Sequence, residues 1–264
     1  MTEQQIAHRG AGRPPKPLTR LTVVARQDLH PEMVRLWFSH EGFEPIPASD
    51  AYVKLLFDQD GPLTTAPVEG ERPTTRTYTV RALDPAHQTI ALDFVVHGEQ
   101  GLAGPWAARA LPGEQVFARG PGGAWAPRPE ADFHLFVGDE SAAPAIAAGL
   151  ERLGDDARGL VIIETHRHRL ELPDRAGVEV RWLVRGDDDY REDRLAEAVA
   201  ALPWDELGDV SVFAHGERGA MKALRRVLAP RELPRDRLSL SGYWASGRAE
   251  DQFQAEKRTA VGAV

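Results

Sequence analysis

Phe133-His134-Leu135-Phe136-Val137-Gly138-Asp139-Glu140-Ser141-Ala142-Ala143-Pro144 is where the texture of this chain changes. Five residues that read as a buried strand run into a turn. An alanine-rich helix follows from Ala142 to Leu153, with Pro144 in its first turn, where a missing N–H costs nothing. Downstream the alternation repeats. Residues 159–164, 178–184 and 209–214 read as strands, and residues 194–202 and 219–228 as helices. Strands alternating with helices predict a parallel sheet. Upstream the pattern is different. Residues 21–25, 33–38, 52–57, 76–81, 89–96 and 114–118 are short runs of β-branched and aromatic residues, separated by Pro, Gly and Asp. Six such runs predict a small antiparallel barrel, interrupted by one helix from Leu102 to Ala110. The expected organisation is a leader over residues 1–17, a barrel over 18–130 and an α/β domain with a C-terminal tail over 131–264.

Composition narrows the chemistry. The 264 residues carry a net charge of −8, which gives no general affinity for nucleic acid. There is no cysteine, so disulfides, thiolate zinc sites and cysteine-held iron–sulfur clusters are excluded. Redox chemistry would need a bound organic cofactor or a metal held by other ligands. No apolar run of roughly 18 residues is present, and no membrane insertion is expected. The first 17 residues lack the apolar core of a secretory signal, so the expected location is the cytoplasm. No feature sets an oligomeric state.

Two stretches of the barrel half carry candidate binding groups. In Arg76-Thr77-Tyr78-Thr79-Val80-Arg81, alternation puts Arg76, Tyr78 and Val80 on one face. Arg76 can clamp a diphosphate, Tyr78 can lie against a flat ring, and the Thr79 hydroxyl can bond a ring nitrogen. A plain surface strand with cross-strand Thr and Arg pairs is the alternative. In Val95-Val96-His97-Gly98-Glu99-Gln100-Gly101-Leu102-Ala103-Gly104-Pro105-Trp106, a strand passes through a glycine-rich turn into a helix start. Such a turn lets backbone N–H groups approach an anion, and it also serves as an ordinary connection. Gly120-Pro121-Gly122-Gly123 by itself reads as a turn.

Taken in order, these blocks resemble the siderophore-interacting proteins, within the wider ferredoxin–NADP reductase-like flavoproteins. The resemblance continues through residues 138–146, through Ala214-His215-Gly216-Glu217 and Met221-Lys222-Ala223-Leu224-Arg225, and ends near Gly242-Tyr243-Trp244. It implies FAD on the barrel. Arg76 would hold the diphosphate, with Thr77, Tyr78 and Thr79 along the flavin. Val95 and His97 would flank the ring, and Gly101, Ala103, Gly104 and Trp106 would form the turn over the phosphates. Asp139, Glu140 and Ser141 would lie where nicotinamide meets flavin, and His215, Glu217 and Trp244 would line the nicotinamide nucleotide site. The activity implied is reduction of a ferric siderophore or related iron chelate at the expense of NADPH or, less favourably, NADH. Fe(III) sits in hard anionic oxygen ligands that hold Fe(II) less well, so reduction loosens the complex.

The resemblance points to Lys54 as a contact for an anionic chelate, with Arg128 and Arg248 beside it as further candidates. Ala245 and Ser246 stand where relatives tend to carry Arg or Lys, which leaves open another acceptor, such as a quinone, or a protein that binds a ferric siderophore without turnover. After the second strand of the α/β half comes Glu164-Thr165-His166-Arg167-His168-Arg169. The end of that strand is where doubly wound nucleotide domains read the adenosine ribose, and cations there favour a 2′-phosphate. Arg167 and Arg169 therefore favour NADPH. His166 and His168 form only a weak metal pair without a carboxylate partner, and no metal is expected. No glycine fingerprint follows Val137, which argues against a standard Rossmann dehydrogenase.

Overall fold

The structure, a computed structural model, describes residues 16–264 except residues 69, 97, 100, 249 and 258. The expected leader lies outside the described residues as far as residue 15. Six strands, β1 (Leu18–His30), β2 (Met33–His40), β3 (Tyr52–Phe57), β4 (Thr74–Asp84), β5 (Thr89–Val95) and β6 (Gln115–Gly122), close into an antiparallel barrel in the order β1-β2-β5-β4-β3-β6. Alternation along each strand turns Leu21, Leu36, Phe38, Leu55, Phe57, Leu92 and Phe94 into one buried cluster. Helix α1 (Ala103–Arg109) caps it. Its Trp106 ring lies 5.9 Å from both Phe57 and Phe94 and 6.3 Å from Phe38. The indole N–H donates to Glu114 at 2.9 Å, so the polar edge of this plug is satisfied.

The second half is a five-stranded parallel sheet in the order β11-β10-β7-β8-β9. Its strands are β7 (Phe133–Asp139), β8 (Gly159–Thr165), β9 (Val178–Val184), β10 (Val210–Glu217) and β11 (Leu238–Trp244). Helices α2 (Ala143–Leu150), α3 (Arg194–Ala200) and α4 (Arg218–Leu228) join them, and α5 (Glu250–Glu256) follows β11. β7, β8 and β10 are buried on both faces and read as apolar runs, as parallel strands do. β11 and α5 are absent from the sequence-based expectation. β11 alternates Leu and Ser over only four residues before Gly242, and α5 has Phe253 as its one large apolar residue, so the apolar pattern of each is short.

The two halves are packed together. Trp125, after β6, lies 4.6 Å from the Phe213 ring of β10 and 5.8 Å from the Phe136 ring of β7. Arg81 of β4 pairs with Glu151 after α2 at 2.8 Å. Beside these, His166 meets Glu32 of the β1–β2 turn at 2.6 Å, and His168 stacks on His30 at 5.1 Å. Among the described residues, no helix is long and apolar enough to cross a membrane.

Candidate functional site

The chain starts its sheet at β7, adds β8 and β9 on one side, then crosses to add β10 and β11 on the other. The crevice beyond the carboxyl ends of β7 and β10 is therefore a topological switch point, where open α/β sheets bind ligands. Asp139 ends β7 and Glu217 ends β10. Asp139 accepts four hydrogen bonds: from the Ser141 N–H (2.9 Å) and hydroxyl (2.5 Å), the Glu217 N–H (2.7 Å) and the Trp244 indole N–H (2.8 Å). One carboxylate thus ties together the ends of β7, β10 and β11. Burial pushes its pKa up and the four donors oppose that shift. Glu217 accepts from Ala220 N–H (2.9 Å), the Tyr190 hydroxyl (3.1 Å) and Ser246 N–H (3.0 Å), so the start of α4 is capped by its own side chain. Backbones are close here. A Cβ on Gly216, at φ +152°, would come 2.6 Å from Asp139 Oδ2, and one on Gly138 would come 2.5 Å from the His215 carbonyl.

His215 lies on β10, two residues before Glu217. It is 4% exposed, stacks on Phe213 at 4.0 Å and meets the Tyr243 ring edge-on at 4.9 Å. Nε2 is 2.8 Å from the Ser239 hydroxyl, while buried Nδ1 has no hydrogen-bond partner among the described residues. Burial, and then the charge of Lys257, push its pKa down to about 3, so the ring is neutral. Tyr243 stands near Thr79 of the barrel, and burial holds its pKa well above the usual tyrosine range.

The barrel contributes β4. Tyr78 packs its ring 4.2 Å from Phe94, and burial raises its pKa. Thr79 is buried and Thr77 is exposed. The half-buried Arg76 directs Nη1 to Asp251 of α5 at 2.9 Å and to the Thr75 carbonyl at 3.0 Å. The glycine turn returns to the same end of the barrel: a Cβ on Gly104 would stand 3.2 Å from the Val95 carbonyl. Gly101 has φ +88°, a conformation that favours glycine, and Leu102 offers no side-chain cap to the amides that follow. Ala103 and Trp106 are buried in the barrel cap rather than open to a ligand. His97 lies outside the described residues. A cleft of about 330 Å³ opens on the outer side of this turn, lined by Asp60, Glu99, Gly101, Leu102, Arg109 and Glu114. Three carboxylates against one arginine make it the wrong sign for a diphosphate, and Glu114 is already spent on Trp106 and the Leu111 N–H.

These groups test the fit of FAD. A cation with one guanidinium nitrogen engaged, an aromatic ring, uncapped amides and a buried imidazole with an open nitrogen suit a flat, polar-edged, diphosphate-bearing ligand. The residues fit it.

The remaining expected residues are dispersed. Lys54 lies opposite Thr77 on β3, with Lys257 for a neighbour. Lys257 has an exposed stem and an ammonium 4.6 Å over the Phe253 ring; desolvation, together with the charge of Lys54 and against that of Glu250, pushes its pKa down. Arg128 pairs with Glu130 at 2.8 Å and Asp236 at 2.9 Å, at the edge where the strands begin. Arg248 pairs with Glu256 at 3.1 Å. Glu140 accepts from Thr165 Oγ1 (2.6 Å) and His166 N–H (2.8 Å), fastening the loop after β8. Within that loop Arg167 pairs with exposed Asp187, and Arg169 is exposed. Among the described residues no group of three or more His, Asp or Glu is placed to hold a metal. Tyr190, Asp251 and Lys257 enter the site without a sequence signal, because two of the three come from the tail after β11, while Tyr243 is visible only as part of the Gly242-Tyr243-Trp244 block.

Comparison with known proteins agrees with this architecture. Residues 22–125 match the siderophore-interacting FAD-binding domain, and residues 131–247 match the siderophore-interacting protein domain. An uncharacterised protein of Mycobacterium tuberculosis is 42% identical over 92% of this chain and 95% of its own length. The ferric vibriobactin reductase of Vibrio cholerae is 32% identical over 82% of this chain and 84% of its own. The crystal structure of a siderophore utilization protein from T. fusca superposes with a TM-score of 0.77 at 32% identity, covering 89% of this chain and 96% of that one.

Proposed function

The chain belongs to the siderophore-interacting protein family, and on that premise we propose that it is an FAD-dependent oxidoreductase that uses NADPH, and less favourably NADH, to reduce a ferric siderophore or related iron chelate and release Fe(II). Residues 18–130 form the FAD-binding unit in this reading and residues 131–264 the nicotinamide-binding unit. Its main support is the meeting of β4 with the switch-point crevice: Arg76 of the barrel pairs with Asp251 of α5, and Thr79 stands near Tyr243, one residue from Trp244 on Asp139.

FAD, when bound, accepts a hydride as an electron pair and passes electrons singly to iron. The protein's part is placement. Arg76 would neutralise the diphosphate, with Asp251 and the Thr75 carbonyl holding Nη1 and leaving the rest of the guanidinium to the ligand. Tyr78 and Thr79 would border the ring, and the amides after Gly101 would meet the phosphates. Asp139 and Glu217 spend their oxygens on strand ends, so they shape the crevice. His215 stays neutral and offers Nδ1 to a ligand edge. Lys54 and Lys257 supply positive charge for an anionic chelate.

A second reading keeps the flavin and changes the acceptor. It is favoured by Ala245, buried, and Ser246, whose N–H is taken by Glu217, since neither adds a cation where relatives tend to carry one.

The test is spectroscopic. Protein supplied with FAD should show flavin absorbance, lose it on anaerobic addition of NADPH, and regain it when a ferric siderophore is added, with Fe(II) appearing in a ferrozine assay. No flavin uptake would sink the reading; reoxidation by a quinone but not by ferric chelates would select the second. Arg76→Ala should weaken FAD binding roughly ten- to hundredfold, the equivalent of about 1.5–3 kcal/mol for one charge-assisted bond.

A further inference from the structure

We propose that Arg185 and Arg194, with Glu164 between them, form the clamp that receives the 2′-phosphate of the nicotinamide nucleotide, and that this pair, not the loop bearing Arg167 and Arg169, selects NADPH over NADH. The inference rests on the nicotinamide-nucleotide reading above.

The backbone places the first arginine. Arg185 follows β9, and its N–H donates to the Thr165 carbonyl at 2.8 Å; the Gly186 N–H donates to His166 at 2.7 Å. The ladder between β8 and β9 therefore runs on past their ends and sets Arg185 beside the last residue of β8. Arg194 opens α3 and ties back to the end of β9 through a 2.9 Å bond from Nη2 to the Val184 carbonyl. Both cations thus stand at the strand end where an adenosine ribose is read.

Glu164 explains how two guanidinium groups coexist there. It is 5% exposed, and its Oε1 is shut from solvent with no hydrogen-bond partner among the described residues. Arg185 Nε stands 3.8 Å away and Arg194 Nη1 3.9 Å, too far for hydrogen bonds. The carboxylate balances their repulsion without consuming their donors. The arginine side chains remain 28% and 27% exposed, so donors are left for an incoming anion. A phosphomonoester accepts such bonds bidentately.

A row of side chains leads to this point from the barrel. Trp244, held by Asp139, lies 6.4 Å from the Tyr190 ring, and the Arg185 guanidinium lies 5.9 Å from the centre of that same ring. Tyr190 is fixed by its hydroxyl on Glu217. The row crosses the carboxyl edge of the sheet from β11 towards β9, the course a dinucleotide takes from a nicotinamide end at the barrel to an adenosine end. The loop with Arg167 instead docks His166 on Glu32 of the barrel and pairs Arg167 with Asp187.

The experiment is calorimetric titration of the full chain with 2′,5′-ADP and with 5′-AMP, which needs no turnover. Wild type should bind 2′,5′-ADP at least roughly tenfold more tightly, the scale of one charge-assisted clamp. Arg185→Ala/Arg194→Ala should erase that preference and leave 5′-AMP within about twofold, while Arg167→Ala/Arg169→Ala should keep it. Arg185→Lys/Arg194→Lys preserves charge and packing if the alanine pair fails to fold, and should lose most of the preference because the planar fork is gone. Retention of the preference in both arginine-pair variants overturns the proposal, as does its loss in the Arg167/Arg169 variant. Equal binding of the two nucleotides by wild type overturns it too, while flavin reduction by NADH would leave the underlying function standing. Failure of both nucleotides to bind, with no flavin reduction by either nicotinamide, would instead remove the function itself.

Discussion

The two edges of the parallel sheet carry similar residues and treat them differently. Where the strands begin, Arg237 pairs with Asp209, and Arg128 bridges Glu130 and Asp236; these three carboxylates are 42–57% exposed. Pairs of that kind are screened and each is worth about 0–1 kcal/mol. Where the strands end, roughly 20 Å away for seven residues of parallel strand, Glu164 and Glu217 are buried and the Asp139 carboxylate is enclosed by its donors. Charged residues alone do not mark a site, since both edges have them. The mark is a buried carboxylate whose bonding joins the ends of several strands, as in Asp139; unpartnered buried atoms occur at both edges, His134 Nδ1 and Arg237 Nη1 at one, Glu164 Oε1 and His215 Nδ1 at the other.

Removing the most connected carboxylate should cost most. Asp139→Ala leaves the Glu217 N–H and the Trp244 indole without partners, and we expect about 3 kcal/mol of lost stability in urea unfolding. A loss under about 1 kcal/mol would erase the distinction between the edges. An intermediate effect comes from His215. Its folded pKa, about 3, lies below its ordinary value of 6.5, so its contribution is whole above pH 6.5 and drains away as the pH falls towards 3. The slope is about 1.4 kcal/mol per pH unit, so between pH 6.5 and 5 wild type should lose about 2 kcal/mol more than His215→Gln. Asp139 and Glu164, held above the usual carboxylate range by burial, act in the opposite sense, which is why the difference between wild type and variant is measured. Parallel pH profiles would show that the ring is not shielded. The smallest change belongs at the other edge: Asp236→Asn should shift stability by no more than about 0.5 kcal/mol, because Arg128 keeps Glu130 and water replaces the rest. A larger loss would mean that this edge is tied as firmly as the other.

Much of the architecture could be read from local pattern. The switch of texture at Phe133 marks where the barrel's short runs give way to strand–helix alternation, and β7, β8 and β10 coincide with their apolar runs. Strand lengths were less visible. β1 runs from Leu18 to His30 and β4 from Thr74 to Asp84, well beyond their apolar centres, because polar residues on a barrel's outer face are paired by the neighbouring strand. Of the site, β4, the glycine turn and the ends of β7 and β10 were legible as motifs. Arg185 and Arg194 were not. A cation after a strand looks the same at Arg167 as at Arg185, and only the continued ladder between Thr165 and Arg185 separates them.

Periodicity and turn chemistry are properties of neighbouring residues, so the sequence alone set the two-part fold, the strand with Arg76, Tyr78 and Thr79, and the glycine-lined entry to α1. Which side chains meet across the crevice depends on strand order and register, which no short window contains. Tertiary structure therefore decided that Tyr243 comes near Thr79, that Asp251 steadies Arg76, and that Glu164 lies between two arginines more than twenty residues downstream.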